Sequence, residues 1–421
     1  MGNATEIASG GYKLMTSVIM ILIDAFSINY LSKRNTPFLW SLQSAGTIYR
    51  LESLFAFRGI EATIFTGRYP EYHRVWTELC LKQTEDERNG AIEGIKNGVF
   101  KRSIKLVDRV PSDHIIRSYR YVAQKYLLHQ GPFVPNCVPV NLLGLFELAQ
   151  SKPVYEVGAI GEYPTLFDVM RKNNVKFNYL AAPRVRTGHV LGKITRMLEK
   201  DRNYDFWYFK LDLLDPVGHA YGPRSAQLRH ALKDIDEKIK RIFTAFTDVL
   251  NDVHFVVLSD HGMSQVNRHF DILAALKKLP LKMGEDYVIF IDSTMARFWF
   301  LNKRSRDVIK NALSMIACGN ILSAEDFNEK HLGIVEHRYG ELVFGLKEGW
   351  VFHPDFFHKY QMQRGMHGYA DTRDSPMVLI YPREENNAYA RHEAQMVDIM
   401  PTVCEIFNIT PPPQLGGKSL N

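Results

Sequence analysis

The stretch Ser17-Val18-Ile19-Met20-Ile21-Leu22-Ile23-Asp24 decides the fold. Its β-branched and aliphatic side chains run on without polar alternation, the pattern of a strand buried on both faces of a parallel sheet. Similar runs follow at Phe177–Ala182, Phe206–Leu214 and Val253–Leu258, with Met377–Tyr381 as a fifth. Helical patterns lie between them. In residues 224–246 apolar side chains fall at Leu228, Leu232, Ile235, Ile239, Ile242 and Phe246, which draws one stripe down a helix. This alternation predicts an α/β fold, a doubly wound and mostly parallel sheet with helices on both faces. Ligands of such sheets gather at the carboxyl ends of the strands. An acid (Asp24, Asp215 or Asp260) follows three of these runs.

At 421 residues the chain is long enough for one main domain with a sizeable insertion. Its 46% hydrophobic and 23% charged residues are those of a soluble globular protein. The net charge of +6 mildly favours anionic substrates, but it is spread along the chain. No basic block is dense enough for a nucleic-acid arm. Cys80, Cys137, Cys318 and Cys404 are far apart and form no Cys-x-x-Cys pair. They read as reduced thiols of a cytoplasmic protein. No apolar run is long enough to cross a bilayer. Residues 14–26 have the apolar character of a signal-peptide core, yet they lack a small-residue cleavage site and run into an acid.

Residues 1–12 read as a flexible lead-in and 13–421 as the catalytic domain. Two stretches break the strand–helix rhythm. Residues 85–160, mixed, aromatic and basic, read as a helical cap. Residues 285–362 read as an inserted α+β subdomain or lid, with an alternating strand at 296–302, a helix near 305–317 and an aromatic-rich segment at 353–360.

Six residues could hold cations: Asp24, Asp215, His219, Asp260, His261 and His367. Asp215 lies four residues before His219, and Pro216 and Gly218 between them predict a turn that faces both side chains to one point. Asp260 and His261 close an apolar run, where a charged pair is costly without a partner. His367 is flanked by Gly365 and Gly368, where backbone can approach an ion closely. Each piece alone has an ordinary reading. A strand-end Asp is commonly a cap or turn former. A lone His is commonly a hydrogen-bonded surface or core residue, the reading that fits His73, His230, His254, His269 and His392. The four segments together are far more specific than any one. Three carboxylates and three imidazoles suffice for two divalent cations, with zinc the first choice and manganese the second.

The same residues resemble the type I phosphodiesterase/nucleotide pyrophosphatase family, within the alkaline phosphatase superfamily. The resemblance rests on Asp24 in LIDAF, TGRYPEYHRVW from Thr66, Asp215 and His219 before a Gly-Pro pair, LSDHGM with Asp260 and His261, and His367 in MHGY. The tail MVDIMPTVCEIFNI, followed by GGKSL, adds to it. It covers roughly residues 15–76, 164–270 and 365–420. It implies an alkaline phosphatase-like fold and two cations, one on Asp215, His219 and His367, the other on Asp24, Asp260 and His261 beside the nucleophile.

In that family a Thr or Ser nine positions before the Thr of a Thr-Gly pair attacks phosphorus, and counting back from Thr66 gives Phe57. Phenylalanine can neither attack nor bind zinc. Ser53, four residues upstream, reads as an ordinary strand serine. Arg58 would stand at the predicted helix start, where a guanidinium could grip an anionic substrate oxygen. No Cys/Ser-x-Pro-x-Arg arrangement near 50–66 supports sulfatase chemistry. The resemblance therefore implies a two-metal hydrolase acting on a phosphorylated small molecule, a phosphodiester or nucleotide-linked substrate, with water activated by a cation in place of the missing hydroxyl. The alternative is a metal-binding pseudoenzyme that holds a phosphorylated ligand.

Overall fold

The computed structural model describes residues 16–55, 59–82, 145–181, 190–333, 337–373, 375–383 and 392–420, with isolated positions between 110 and 142. The lead-in, Phe57, Arg58, Cys137 and most of the expected cap at 85–160 lie outside these residues.

A central sheet is built from β1 (Ser17–Ile23), β2 (Thr47–Leu51), β3 (Phe177–Leu180), β4 (Phe206–Leu211), β5 (Val253–Leu258), β6 (Met377–Tyr381) and β7 (His392–Ala394). Their spatial order is β7-β2-β6-β5-β1-β4-β3. Neighbours are parallel except at β6, which runs antiparallel to both β2 and β5. The sheet is therefore mixed, with the fifth apolar run reversed. An apolar run signals burial and carries no sign of direction, so this reversal had no local signature. β3 is an edge strand with Tyr179 exposed, so its run is half-buried and not covered on both faces.

β1 is buried throughout because it has strands on both sides and helices on both faces. The covering helices are α1 (Gly59–Thr66), α2 (Leu166–Lys172), α3 (Val190–Lys200), α4 (Leu214–Tyr221), α5 (Ala226–Thr247) and α6 (Ile399–Ile406). Val18, Met20 and Leu22 pack with Ile64, Phe65, Phe167 and Met400. Ile19, Ile21 and Ile23 face the other way, against Ile194, Leu228, Ile235 and Ile239. The stripe of α5 is wholly buried, and each such side chain contributes roughly 1.5–3 kcal/mol. Ser225 starts this helix by accepting the Leu228 N–H at 3.1 Å.

Between β5 and β6 the chain forms a second, antiparallel sheet in the order Tyr287–Ile291, Met295–Phe300, Leu342–Leu346, Gly319–Ile321. Helix Lys303–Ser314 packs on it through Ile309 and Leu313. The Thr294 hydroxyl donates to Gly368 O at 2.9 Å, which ties this unit to the loop carrying His367. In the described part of 145–160, Phe146–Leu148 pairs with Leu79–Leu81 and turns follow. No helix among the described residues is long and apolar enough to cross a membrane.

Candidate metal centre

The six candidate ligands converge at one end of the sheet. Asp24 follows β1, and its N–H donates to Leu211 O at 2.9 Å, one last parallel-ladder contact. Ala25 then takes a left-handed φ of 63°, which turns the chain so that its N–H donates to Asp260 Oδ1 at 3.2 Å. Asp260 Oδ1 also accepts the His261 N–H at 2.9 Å.

Asp215 and His219 sit on α4, where a turn was expected. Pro216 permits this because it falls in the first helical turn, where its missing N–H breaks no helix bond. Four residues on a helix bring both side chains to one face, and His219 Nε2 lies 3.0 Å from Asp215 Oδ1. Gly365 allows the backbones to meet here, since a Cβ at that position would lie 2.5 Å from Gly218 O.

His219 Nδ1 contacts Gly365 O at 2.9 Å, and His261 Nδ1 contacts Gly262 O at 2.8 Å. A carbonyl only accepts, so Nδ1 carries the proton in both rings and Nε2 faces the carboxylates. His261 Nε2 lies 3.3 Å from Asp24 Oδ1 and 3.8 Å from Asp260 Oδ1. His367 Nε2 lies 3.6 Å from Asp215 Oδ1. Two groups of potential ligand atoms emerge, each within 4.8 Å: Asp24 with Asp260 and His261, and Asp215 with His261 and His367. One Nε2 can serve only one ion. If His261 is taken by the first group, His219 Nε2 completes the second.

The donor chemistry fits divalent cations: carboxylates and correctly tautomerised imidazoles face each other in a half-buried cleft. The electrostatics are those of a site prepared for added positive charge. Burial and the neighbouring Asp24 push Asp260 up to about 6. Burial would lower His261, but Asp260 and Asp24 outweigh it and raise the ring to about 10. Burial and the His261 cation hold His367 well below the ordinary imidazole range.

Two further side chains enter this cluster. Lys210 Nζ lies 3.5 Å from Asp24 Oδ2 and 4.0 Å from Asp260 Oδ2, and it forms a close ion pair with Glu61 of α1. Sequence reasoning passed over both. The available signal was a lysine inside the apolar run Phe206–Leu211, since a buried charge requires a partner. Arg58 lies outside the described residues, and Ser53 lies two residues past the end of β2.

The sequence profile described as type I phosphodiesterase / nucleotide pyrophosphatase matches residues 149–370. This match runs through 285–362, where no motif had been legible. A bis(5'-adenosyl)-triphosphatase of Bos taurus is 25% identical over 210 residues, covering 48% of this chain and 44% of that protein. The chain thus spans less than half the length of that relative. Ectonucleotide pyrophosphatase/phosphodiesterase family member 7 of Rattus norvegicus is 24% identical over 95% of this chain and 85% of its own length. Among solved structures, murine ectonucleotide pyrophosphatase/phosphodiesterase 5 superposes with a TM-score of 0.67 at 16% identity, covering 94% of this chain and 96% of that one. An inactive form of the same murine protein, in complex with AMP, gives a TM-score of 0.66 at 15% identity, again with 94% and 96% coverage.

Proposed function

This chain belongs to the type I phosphodiesterase/nucleotide pyrophosphatase family, and from that membership we propose that it is a divalent-metal-dependent hydrolase of a phosphodiester, with a nucleotide-linked small molecule as substrate. The observation that carries the reading is the meeting of Asp24, Asp260 and His261 with Asp215, His219 and His367 in one cleft. A bis(5'-adenosyl)-triphosphatase among the relatives and an AMP-bound structural neighbour support the nucleotide-linked substrate.

Asp24, Asp260 and His261 would hold one cation, and Asp215, His219 and His367 the other, with zinc preferred for the mixed donors. When bound, the cations would supply positive charge to the non-bridging phosphate oxygens and lower the pKa of water. The chain's own residues orient this site. Gly262 O and Gly365 O fix the tautomers of His261 and His219. Backbone N–H groups of Ala25 and His261 lock one oxygen of Asp260, so its carboxylate cannot rotate freely. Arg58 would steer the anionic substrate, and the unit at 285–362 would select the leaving group.

Phe57, in the slot of the family's hydroxyl nucleophile, favours a second reading, a pseudoenzyme that retains phosphorylated ligands. Zinc- or manganese-loaded protein assayed on bis-p-nitrophenyl phosphate and p-nitrophenyl phosphate separates the two. Metal-dependent turnover of the diester, lost in Asp260→Ala, supports the hydrolase. Tight metal binding without turnover supports the pseudoenzyme. The cytoplasmic location is also our reading, supported by Cys80, Cys318 and Cys404, which are buried and unbridged among the described residues. Cell fractionation tests it.

A further inference from the structure

We propose that Lys210 is a resident cation of the Asp24–Asp260 half of the cleft, so that the two halves load divalent metal unequally: the Asp215 half tightly, the Asp24–Asp260 half weakly. This rests on the cation-binding reading above and adds a determinant that the motif pattern does not contain.

The placement follows from strand register. Lys210 on β4 is the partner of Leu22 on β1. Asp24 lies two residues beyond Leu22, so in extended backbone both side chains leave the sheet on the same face. That face is covered by α1, from which Glu61 reaches Lys210. Each carboxylate is divided between two partners. Oδ1 of Asp24 faces His261 Nε2, while its Oδ2 faces the ammonium at 3.5 Å. Oδ1 of Asp260 accepts two backbone N–H groups, while its Oδ2 faces the ammonium at 4.0 Å. Part of the negative charge that would attract a dication is therefore already answered by a covalently attached cation, whose charge is shared among Glu61, Asp24 and Asp260. The Lys210 side chain is 24% exposed, so solvent screens the repulsion between its charge and an incoming ion only in part. The other half of the cleft has no such tenant, because the ion-pair partners of Asp215 among the described residues are His219 and His367, whose imidazoles are themselves candidate ligands.

The test is zinc stoichiometry and affinity, by titration calorimetry and elemental analysis of dialysed full-length protein, with no assay of turnover. Wild type is expected to show one tight and one weak zinc. Lys210→Met is expected to tighten the weak site by about tenfold or more, as removal of a nearby charge in a poorly screened cleft should. Lys210→Arg is expected to keep it weak, and Asp24→Asn to remove the weak site alone. Should Lys210→Met fail to fold, judged by circular dichroism and thermal melting, Lys210→Gln is the substitute. Two equally tight sites in wild type, or no tightening in the folded neutral variant, would overturn the role of Lys210 and leave the cation-binding reading standing. An absence of zinc binding in wild type and every variant would overturn both.

Discussion

The imidazoles of His261 and His367 stack with centroids 3.7 Å apart and planes 11° from parallel. Two cations cannot share that geometry cheaply, and the charge settles on His261. Burial opposes its protonation, but Asp260 and Asp24 raise it to about 10, while burial and His261 itself keep His367 neutral. Ligation requires the neutral ring. Zinc binding near neutral pH should therefore expel a proton from His261. Affinity is expected to rise by roughly tenfold per pH unit per proton released, measured by calorimetry in buffers of different ionisation enthalpy. The sign for stability is opposite. The folded value lies above the ordinary 6.5, so this group's stabilisation of the chelated protein is full below 6.5 and is lost as pH rises toward 10. Its melting temperature should fall across that window, and saturating zinc should recover more at the alkaline end.

Phe57→Thr restores a hydroxyl nine residues before Thr66. With zinc and p-nitrophenyl phosphate present, the new hydroxyl is expected to attack phosphorus and expel p-nitrophenolate, leaving a phosphothreonine that wild type does not form, read by intact-protein mass spectrometry after acid quench. A metal-loaded variant that never becomes labelled would show that the slot has been placed at the wrong residue.

Gly59 begins α1 in close contact with another segment of backbone. A Cβ there would lie 2.0 Å from Val75 O and 2.8 Å from Trp76 Cα, a clash that no side-chain rotation relieves. Gly59→Ala is expected to cost about 3 kcal/mol, seen as a lower urea midpoint. It should also weaken the Glu61–Lys210 pair, because the helix that carries Glu61 must shift.

Arg297 and Asp292 are a buried ion pair in the second sheet, with Nε 2.9 Å from Oδ2 and almost no exposure of either side chain. The guanidinium also donates from Nη1 to Leu79 O at 2.8 Å and lies over the Phe290 ring. Arg297→Met leaves Asp292 as an uncompensated buried carboxylate and is expected to cost about 3–5 kcal/mol. Adding Asp292→Asn should return part of that loss in the same denaturant titration.

Much of the architecture was legible because it depends on periodicity. The unbroken run 17–23 and the stripe from Leu228 to Phe246 state burial on two faces and on one face respectively, and the fold uses them so. The candidate ligands were legible as a set because acids and imidazoles after apolar runs are costly unless they meet something. What local sequence lacked was orientation. Nothing in Met377–Tyr381 reports that it enters the sheet reversed. Pro216 and Gly218 suggested a turn, yet a helix accepts a proline in its first turn. Lys210 was hidden because its partners, Glu61, Asp24 and Asp260, come from three distant segments, brought to it by α1, by the register of β4 on β1 and by that of β5 on β1.

The reversed strand has a consequence for the order in which the molecule can be made. Among the described residues β2 is hydrogen-bonded within the sheet only to β6 and β7, and both emerge from the ribosome long after it. β1, β4 and β5 can assemble among themselves once residue 258 has been synthesised. β2, and the packing of α1 against Met400, must wait for the residues that follow Met377. Nascent chains halted before Met377 should therefore protect β1 from hydrogen exchange while leaving Thr47–Leu51 open. Synthesis past Ala394 should close it. The half of the cleft that holds Asp24 is thus laid down early, and the wall bearing Glu61 is set in place last.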